Sequence, residues 1–353
     1  HLSHQRSLHE LSDAVAIQLN DTHPALSILE LMYQLVDIHE LPWDEAWLIT
    51  QRTCAYTNHT LLPEALETWS VSLFERLIPR HLQILYQINR DFLELVSQKY
   101  PNDMDLRRRL SLIEENGDRR VRMSHLSVVG SHKVNGVAQL HSQLMRDTIF
   151  KDFAAFWPDR FTNVTNGISV RRWLKQANPG LSQLITEHLG SAWENDLEEL
   201  ERLKWAIDDA GIRQRFRQIK LQNKQQLAIT IKRLIGVEVD AQSMFDVQVK
   251  RIHEYKRQLL VLLHALVRYQ RILDAPEQPI VPRTIILAGK AAPGYVMAKL
   301  IIKLINNVAH TINNDPRIGN KLKLCFLPDY DVSLAQEIIP AADLSEQIST
   351  AGM

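Results

Sequence analysis

The feature that most constrains the fold is the alternation of apolar and amphipathic runs in the second half of the chain. Short segments rich in apolar residues at 245–249, 284–288 and 322–327 predict strands, and amphipathic runs at 255–273 and 295–313 predict the helices between them. A strand, a crossover helix and a second parallel strand form a right-handed unit, so this order predicts a parallel sheet of α/β type.

The first part of the chain has a different pattern, which predicts a mostly helical segment. An apolar run at 15–19 predicts a strand, and the turn and capping residues after it open a helix near Ala25. Apolar residues at helical spacing predict helices at 44–53, at 71–99 with a break near Pro79, at 135–148, at 181–189 and at 196–234. We therefore expect a domain boundary near Ile168, with domains at 1–168 and 169–353.

Composition excludes several classes of protein. The 353 residues are 45% hydrophobic and carry 41 basic and 41 acidic side chains, so a large core is expected and no net field draws the chain to nucleic acid. The apolar run at 259–266 is too short to span a membrane. Cys54 and Cys325 are far apart in hydrophobic surroundings, which predicts buried thiols and a cytoplasmic location.

Familiar motifs for nucleotides and metals are incomplete. Gly289 and Lys290 follow a predicted strand, but the earlier glycine of a P-loop is missing and Ala291 stands where a Ser or Thr would bind magnesium. No Gly-x-Gly-x-x-Gly follows the predicted strands, which argues against a dehydrogenase. The His-Glu pairs at 9–10 and 39–40 lack a second histidine, so no metal site is expected.

A run of basic residues lies directly behind the strand predicted at 245–249. It contains Lys250, Arg251, His253, Lys256 and Arg257. Ligands of open α/β sheets bind beyond the carboxyl ends of the strands, where a helix amino terminus also favours an anion. These residues alone are compatible with a phosphate site and equally with a solvated basic helix face.

Further polar and aromatic residues lie at strand ends or in turns, and each has a structural explanation beside a functional one. Helix capping explains the segment around Asp21 and His23, although such groups also suit a binding site. The polar segment at 56–60 contains His59 and suits sugar hydroxyls, but a satisfied histidine at a core edge is equally compatible. Among the remaining candidates, a tight turn explains Asn166 and core packing explains Trp173. Tyr295 and Tyr330 are equally compatible with partly buried rings whose hydroxyls are exposed.

Taken together, seven segments in unbroken order resemble the α-glucan phosphorylase family, which comprises the glycogen, starch and maltodextrin phosphorylases. They are residues 18–24 (QLNDTHP), 54–60 (CAYTNHT), 130–138 (GSHKVNGVA), 165–168 (TNGI), 245–257, 289–295 and 339–352. The resemblance implies a glycosyltransferase-B fold with two Rossmann-like domains, both incomplete in this chain. It implies reversible phosphorolysis of α-1,4-glucan to glucose 1-phosphate with retention, pyridoxal phosphate as cofactor, inorganic phosphate and glucan as partners, and a homodimer.

The resemblance also implies roles for individual residues. Arg251 and Lys256 match residues that hold the substrate phosphate, and His59 matches a transition-state contact to the sugar. Lys250, Trp173 and Tyr330 match cofactor contacts. Asn166 matches a hydrogen-bond partner of the glucosyl unit, Asp21 and His23 a loop that gates the site, and His253 and Tyr295 its entrance.

The ends of the chain depart from the family pattern. The family continues beyond 352 into the segment with the cofactor lysine, whereas this chain ends at Met353, and the family's amino-terminal part with its glycine-rich phosphate loop is also missing. We therefore expect the isolated chain to be inactive. The alternatives are a non-catalytic glucan-binding or assembly module and a nucleotide-sugar glycosyltransferase of similar fold.

Overall fold

The structure is a computed structural model that describes residues 7–350, and for Glu64 its backbone alone. Residues 1–6 and 351–353 lie outside the described residues, and with them the last part of the family-like segment at 339–352 and the chain end from which inactivity is expected. The chain divides into two compact units, the first ending at Gly167 and the second beginning at Ile168.

The first unit contains a parallel sheet and a small antiparallel one. Its strands are β1 (Ile17–Asn20), β2 (Cys54–Thr57), β3 (Thr68–Ser70), β4 (Ile113–Glu114), β5 (Arg120–Arg122), β6 (Lys133–Gly136) and β7 (Phe161–Asn163). The parallel sheet has the order β1-β2-β6-β7 and the antiparallel one the order β3-β5-β4.

Helices surround these sheets and share one apolar core with them. They are α1 (Leu11–Ala14), α2 (Leu26–Tyr33), α3 (Trp43–Thr53), α4 (Val71–Leu77), α5 (Pro79–Lys99), α6 (Met104–Leu110), α7 (Met123–Val129), α8 (Gln139–Asp147) and α9 (Lys151–Phe156). A π-helical turn, Gln34–Ile38, extends α2, and short 3-10 turns cover Leu8–Glu10, Pro63–Ala65 and Pro158–Arg160.

Predictions for this unit are confirmed in part. The strand predicted at 15–19 is β1, and Pro79 separates α4 from α5 as expected, because proline fits the first turn of a new helix. The single helix predicted at 135–148 is wrong, since 133–136 form the strand β6 and α8 begins at Gln139. A mostly helical unit is an incomplete description, because a parallel sheet lies inside it.

The second unit is built on a parallel sheet with the order β10-β9-β8-β11. Its strands are β8 (Met244–Val249), β9 (Arg283–Ala288), β10 (Leu322–Leu327) and β11 (Leu344–Ser345). Its helices are α10 (Pro179–Leu189), α11 (Ala210–Ile235), α12 (Gln258–Asp274), α13 (Val296–Asn314) and α14 (Val332–Ala341), with a π-helix at Arg171–Gln176 and 3-10 helices at Ala192–Glu194, Leu197–Ile207 and Glu254–Lys256.

Alternation along the strands buries both faces of this sheet. On β9, Ile285 and Leu287 pack in the core that contains α12 and α13, whereas Ile286 and Ala288 pack in the core that contains α11 and α14. Strands covered on both faces are rich in apolar residues, which favours their prediction as strands from sequence. The prediction of a parallel α/β sheet is therefore confirmed for this unit.

Two helix predictions in this unit need correction. The helix predicted at 196–234 is a 3-10 helix followed by α11, because the Asp209 side chain accepts from the Ile212 N–H and caps a new helix. The helix predicted at 255–273 begins at Gln258, because Arg257 before it has φ 62° and interrupts the helical path. None of the helices within residues 7–350 combines the length and low polarity needed to cross a membrane.

Candidate functional site

Basic residues follow β8, one of the two inner strands of the second sheet, at its carboxyl edge. Lys250 follows β8, Gly289 follows β9 and Gln347 lies just beyond β11, and these strands run parallel. The carboxyl ends of the three strands therefore meet at one edge, where ligands of open α/β sheets bind. We call Lys250, Arg251 and Lys256 the cation cluster.

A glycine allows the loops after β8 and β9 to pack directly on each other. A β-carbon at Gly289 would lie 1.8 Å from the Lys250 carbonyl oxygen, so no larger residue fits this backbone position. The Lys250 N–H donates to the Ala288 carbonyl at 3.1 Å, and the Ile252 N–H donates to the Lys290 carbonyl at 3.1 Å. The ladder between the two strands thus continues past their ends and fixes the backbone of the cation cluster.

Two buried glutamines hold this loop through hydrogen bonds to its backbone. Gln248 Nε2 donates to the Lys256 carbonyl at 2.8 Å, and Gln258 Nε2 donates to the Arg251 carbonyl at 3.0 Å. Gln258 also accepts from the His253 N–H at 3.3 Å. Sequence analysis missed both glutamines, because their role depends on hydrogen bonds that no spacing rule encodes.

The side chains of the cation cluster lie in different surroundings. Lys250 Nζ donates to Gln347 Oε1, and burial together with the positive charge of Lys256 lowers the pKa of Lys250. Lys256 Nζ lies 4.7 Å from the ring centroid of Tyr255. Arg251 is exposed, and its guanidinium has no ion-pair partner within residues 7–350. A bound anion would relieve the repulsion between the ammonium groups of Lys250 and Lys256.

Arg257 ties the loop to the chain that follows β11. The backbone of Arg257 is left-handed, with φ 62°, a conformation that costs on the order of 1 kcal/mol for a residue with a side chain. Its Nε donates to the Ile348 carbonyl at 2.6 Å and its Nη2 to the Ser349 carbonyl at 3.0 Å. These charge-assisted hydrogen bonds offset the backbone strain. They also direct the Arg257 side chain to the backbone after β11 and not toward a ligand.

Aromatic residues lie beside the cation cluster. The His253 ring centroid is 4.5 Å from that of Tyr255 and 4.9 Å from that of Tyr295. The Tyr295 hydroxyl donates to Glu254 Oε2 at 2.7 Å. Burial and this acceptor raise the pKa of Tyr295. The structure thus brings His253 and Tyr295 together, and their role at an entrance stays a prediction.

Trp173 and Tyr330 are the other predicted cofactor contacts, and both pack within the second unit. Trp173 lines a cavity of about 220 Å³ with Asn223 and Pro340. Tyr330 follows β10 and packs against the core on the α11 and α14 face, where burial raises its pKa. No hydrogen bond within residues 7–350 joins either ring to the cation cluster, so their roles stay predictions.

The first unit gathers its predicted residues at the carboxyl edge of its own parallel sheet. Asn20 ends β1, His59 follows β2 and Asn166 follows β7. His59 Nε2 lies 2.5 Å from Asn20 Oδ1, and the Asn166 N–H donates to the Val137 carbonyl at 2.9 Å. Because an amide oxygen can only accept, His59 carries its hydrogen on Nε2, and Nδ1 is then an acceptor in the neutral ring.

Asp21 and His23 belong to a polar group that includes a residue missed by sequence analysis. Asp21 has φ 65°, and its N–H donates to the Thr57 carbonyl at 3.0 Å. His23 Nδ1 lies 3.2 Å from Glu67 Oε1, and the Thr22 hydroxyl donates to the other oxygen of the same carboxylate. Glu67 is far from this segment in sequence, so only the fold reveals the contact.

A second imidazole lies near His59. The Val137 N–H donates to His141 Nδ1 at 3.0 Å, and burial together with the nearby His59 lowers the pKa of His141. Gly136 permits this packing, since a β-carbon there would lie 2.4 Å from the Ser142 hydroxyl oxygen. Sequence analysis had included this segment in a helix and so missed His141.

Chemically, the basic loop of the second unit offers cations that suit an anion such as phosphate, and the polar groups of the first unit include amide, imidazole and carboxylate groups that suit hydroxyl groups. Within residues 7–350, His, Cys, Asp and Glu side chains form no group of three or more that could hold a metal ion. These features define an α/β protein with parallel sheets and a basic loop at the carboxyl edge of one of them.

Comparison with known proteins gives the family. The family model described as carbohydrate phosphorylase matches residues 1–353, and the chain belongs to this family. The resemblance found from sequence segments is thereby confirmed.

Relatives with similar sequences carry the name glycogen phosphorylase. The chain is 56% identical over 340 residues to the liver form of glycogen phosphorylase from Ovis aries, an alignment that covers 96% of this chain and 40% of the relative. It is 54% identical over 352 residues to the glycogen phosphorylase of Synechocystis sp., which covers 100% of this chain and 42% of the relative. The muscle form from Oryctolagus cuniculus is 54% identical over 340 residues, with 96% and 40% covered. The chain thus spans about two fifths of the length of these relatives.

Proposed function

We propose that this chain is part of an α-1,4-glucan phosphorylase, an enzyme that cleaves glycogen, starch or maltodextrin with inorganic phosphate and releases glucose 1-phosphate with retention. The observation that carries the proposal is the cation cluster at the carboxyl end of β8, in a chain that belongs to the carbohydrate phosphorylase family. Inorganic phosphate is the co-substrate that distinguishes this reaction from hydrolysis, so the protein must hold a phosphate anion.

The proposed roles in the second unit follow from charge. Arg251 and Lys256 would hold the attacking phosphate, since an exposed guanidinium offers paired donors and an ammonium a compact charge. Fixed cations stabilise negative charge that develops during reaction without having to reorganise. Gln248 and Gln258 would keep these charges in position through the loop carbonyls that they bind.

The residues also fit the phosphate end of pyridoxal phosphate. Lys250 is partly buried beside a second cation, and burial and that charge both disfavour its ammonium form unless an anion is present. Lys250 would hold this phosphate, with Trp173 and Tyr330 as further contacts of the cofactor. When bound, the cofactor phosphate would supply a proton to the inorganic phosphate.

The first unit would bind the glucosyl residue. His59 and Asn166 are proposed to contact sugar hydroxyls, and the hydrogen bond to Asn20 fixes the tautomer of His59. Asp21 and His23 would belong to a gating loop, and His253 and Tyr295 to the entrance of the site. We extend the proposal to a glycosyltransferase-B fold, with domains at 1–168 and 169–353, and to a cytoplasmic homodimer.

The test is an assay of the protein expressed from its complete coding sequence, with glycogen or maltodextrin and inorganic phosphate, followed by phosphorus NMR. We expect α-glucose 1-phosphate to form only when both substrates are present. Lys256→Ala should lower kcat/KM by about 10²- to 10³-fold, the range found when one stabilising donor is removed. Lys303→Ala, an exposed lysine on α13, is the matched control and should leave the rate unchanged.

Other products would contradict the proposal. Release of free glucose independently of phosphate would indicate a hydrolase, and consumption of a nucleotide sugar would indicate a transferase. Glucan binding without formation of glucose 1-phosphate would indicate a non-catalytic module.

A further inference from the structure

An apolar cavity in the second unit is not used by the proposed reaction. It has a volume of about 440 Å³ and lies between α10, the 3-10 helix Leu197–Ile207 and the first turns of α11. The buried side chains of Leu184 and Ile185 form its floor, and Ala206 and Phe216 line its walls. Cavities of this size and polarity are typical of sites for small organic ligands.

The mouth of the cavity leaves large apolar side chains in solvent. Ile207 is 68% exposed and Phe216 is 46% exposed, although both line the cavity. One wall is a 3-10 helix of eleven residues, whereas 3-10 helices rarely exceed three or four residues because their hydrogen bonds are poorly aligned. This helix forms one wall of the cavity through Leu203, Ala206 and Ile207.

The ionisable side chains that line the cavity are all basic. Arg213 and Arg217 on α11 and His188 on α10 line it, and no carboxylate does so within residues 7–350. Two acidic residues nearby in sequence have partners of their own, since Asp209 accepts from the Ile212 N–H at 2.9 Å and Glu187 pairs with Arg215 at 2.7 Å. Asp208, which follows Ile207, does not line the cavity.

The two arginines differ in what they contact. Arg213 Nη1 donates to the Ile207 carbonyl at 2.5 Å, which leaves its other donors available. The Arg217 guanidinium has no hydrogen-bond acceptor and no ion-pair partner within the described part of the chain. The cavity therefore offers an apolar surface with the positive charge of an exposed arginine at its side.

We propose that this cavity is a binding site for an amphiphilic anion, a small molecule with one carboxylate or sulfonate group and an apolar chain or fused aromatic ring. The apolar part would lie on Leu184, Ile185 and Phe216, and the anionic group would accept from Arg217 and Arg213. Charge complementarity selects an anion over a neutral or cationic amphiphile of the same size. The site is independent of the cation cluster and goes beyond the proposed phosphorolysis.

The test uses the protein expressed from its complete coding sequence and the fluorescent probe 8-anilinonaphthalene-1-sulfonate. We expect saturable binding, displaced by decanoate but not by decanol. Ala206→Phe fills the cavity and should remove this binding component, and Arg217→Glu should weaken it by tenfold or more. Arg202→Gln, which alters an exposed arginine of the same 3-10 helix that pairs with Glu199, is the matched control and should bind like the wild type.

Melting temperatures of all variants are measured alongside, and Arg217→Glu keeps the test decisive if Ala206→Phe does not fold, because Arg217 is exposed. The proposal is overturned if the wild type shows no saturable binding, if decanol displaces the probe as well as decanoate does, or if Arg217→Glu binds as tightly as the wild type while remaining folded.

Discussion

Gly289 lies so close to Lys250 that a β-carbon at position 289 would stand 1.8 Å from the Lys250 carbonyl oxygen. The two residues follow neighbouring parallel strands, β9 and β8, and the Lys250 N–H donates to the Ala288 carbonyl. The Lys250 carbonyl is therefore packed against a position that admits only glycine. The position of the cation cluster depends on Gly289.

Gly289→Ala should destabilise the protein and displace the cation cluster. A methyl group at 1.8 Å from backbone forces the loop to move, and overpacking of this kind costs about 1 to 3 kcal/mol of unfolding free energy. Urea unfolding measures this cost. Gly294→Ala is the matched control, because a β-carbon there meets no atom within 4 Å. Equal stability of both variants would contradict the close packing.

Asp343→Ala should strongly destabilise the second unit. Lys224 Nζ donates to Asp343 Oδ2 at 2.6 Å, and the Lys224 side chain is only 9% exposed. Removal of the carboxylate leaves a buried ammonium without its counter-ion, which costs about 3 to 5 kcal/mol. Thermal and urea unfolding measure the change.

The matched control for this ion pair lies on the surface. Lys232 and Glu238 form an ion pair at the same distance of 2.6 Å, but both side chains are largely exposed. Glu238→Ala should therefore leave the unfolding midpoint unchanged within error. The interpretation fails if the two substitutions have the same effect.

His125 should make the stability of the first unit depend on pH. Burial and the nearby Arg122 lower the pKa of His125 from 6.5 to about 4, while a backbone carbonyl of Ser111 partly offsets them. Between these values the unfolded chain binds a proton that the folded chain does not. The stabilisation is therefore present above pH 6.5 and is lost as the pH falls toward 4, by up to about 1.4 kcal/mol per pH unit.

Urea unfolding of the wild type and of His125→Gln at pH 7 and at pH 4.5 checks this dependence. The wild type should lose more stability on acidification than the variant does. His310→Gln, at an exposed position on α13, should retain the wild-type dependence. Parallel pH profiles for wild type and His125→Gln would exclude the assigned role.

The second unit was largely predictable from sequence, because its strands are short segments rich in apolar residues that alternate with amphipathic helices. β8, β9 and β10 begin within one residue of their predicted starts and end where predicted. The basic residues were found for a related reason, since parallel strands place their ligands beyond their carboxyl ends. The break at Arg257 was not predictable, because a left-handed arginine is stabilised by carbonyls nearly a hundred residues away.

The first unit was predicted less well for physical reasons. β2 and β6 are only four residues long, and β6 also contains Lys133, Asn135 and Gly136, so β2 is too short and β6 too polar to give a clear strand signal. Gln248, Gln258 and Glu67 were missed because buried polar residues are identified by their hydrogen-bond partners, which only the fold brings together.

The measurement that tests the central claim most directly is the phosphate dependence of glucan cleavage by the protein expressed from its complete coding sequence. If the cation cluster holds inorganic phosphate, Arg251→Gln and Lys256→Gln should raise the KM for phosphate and lower kcat, while the KM for glucan stays unchanged. Lys303→Gln should behave like the wild type. A phosphate dependence that is the same in all four proteins would contradict the account.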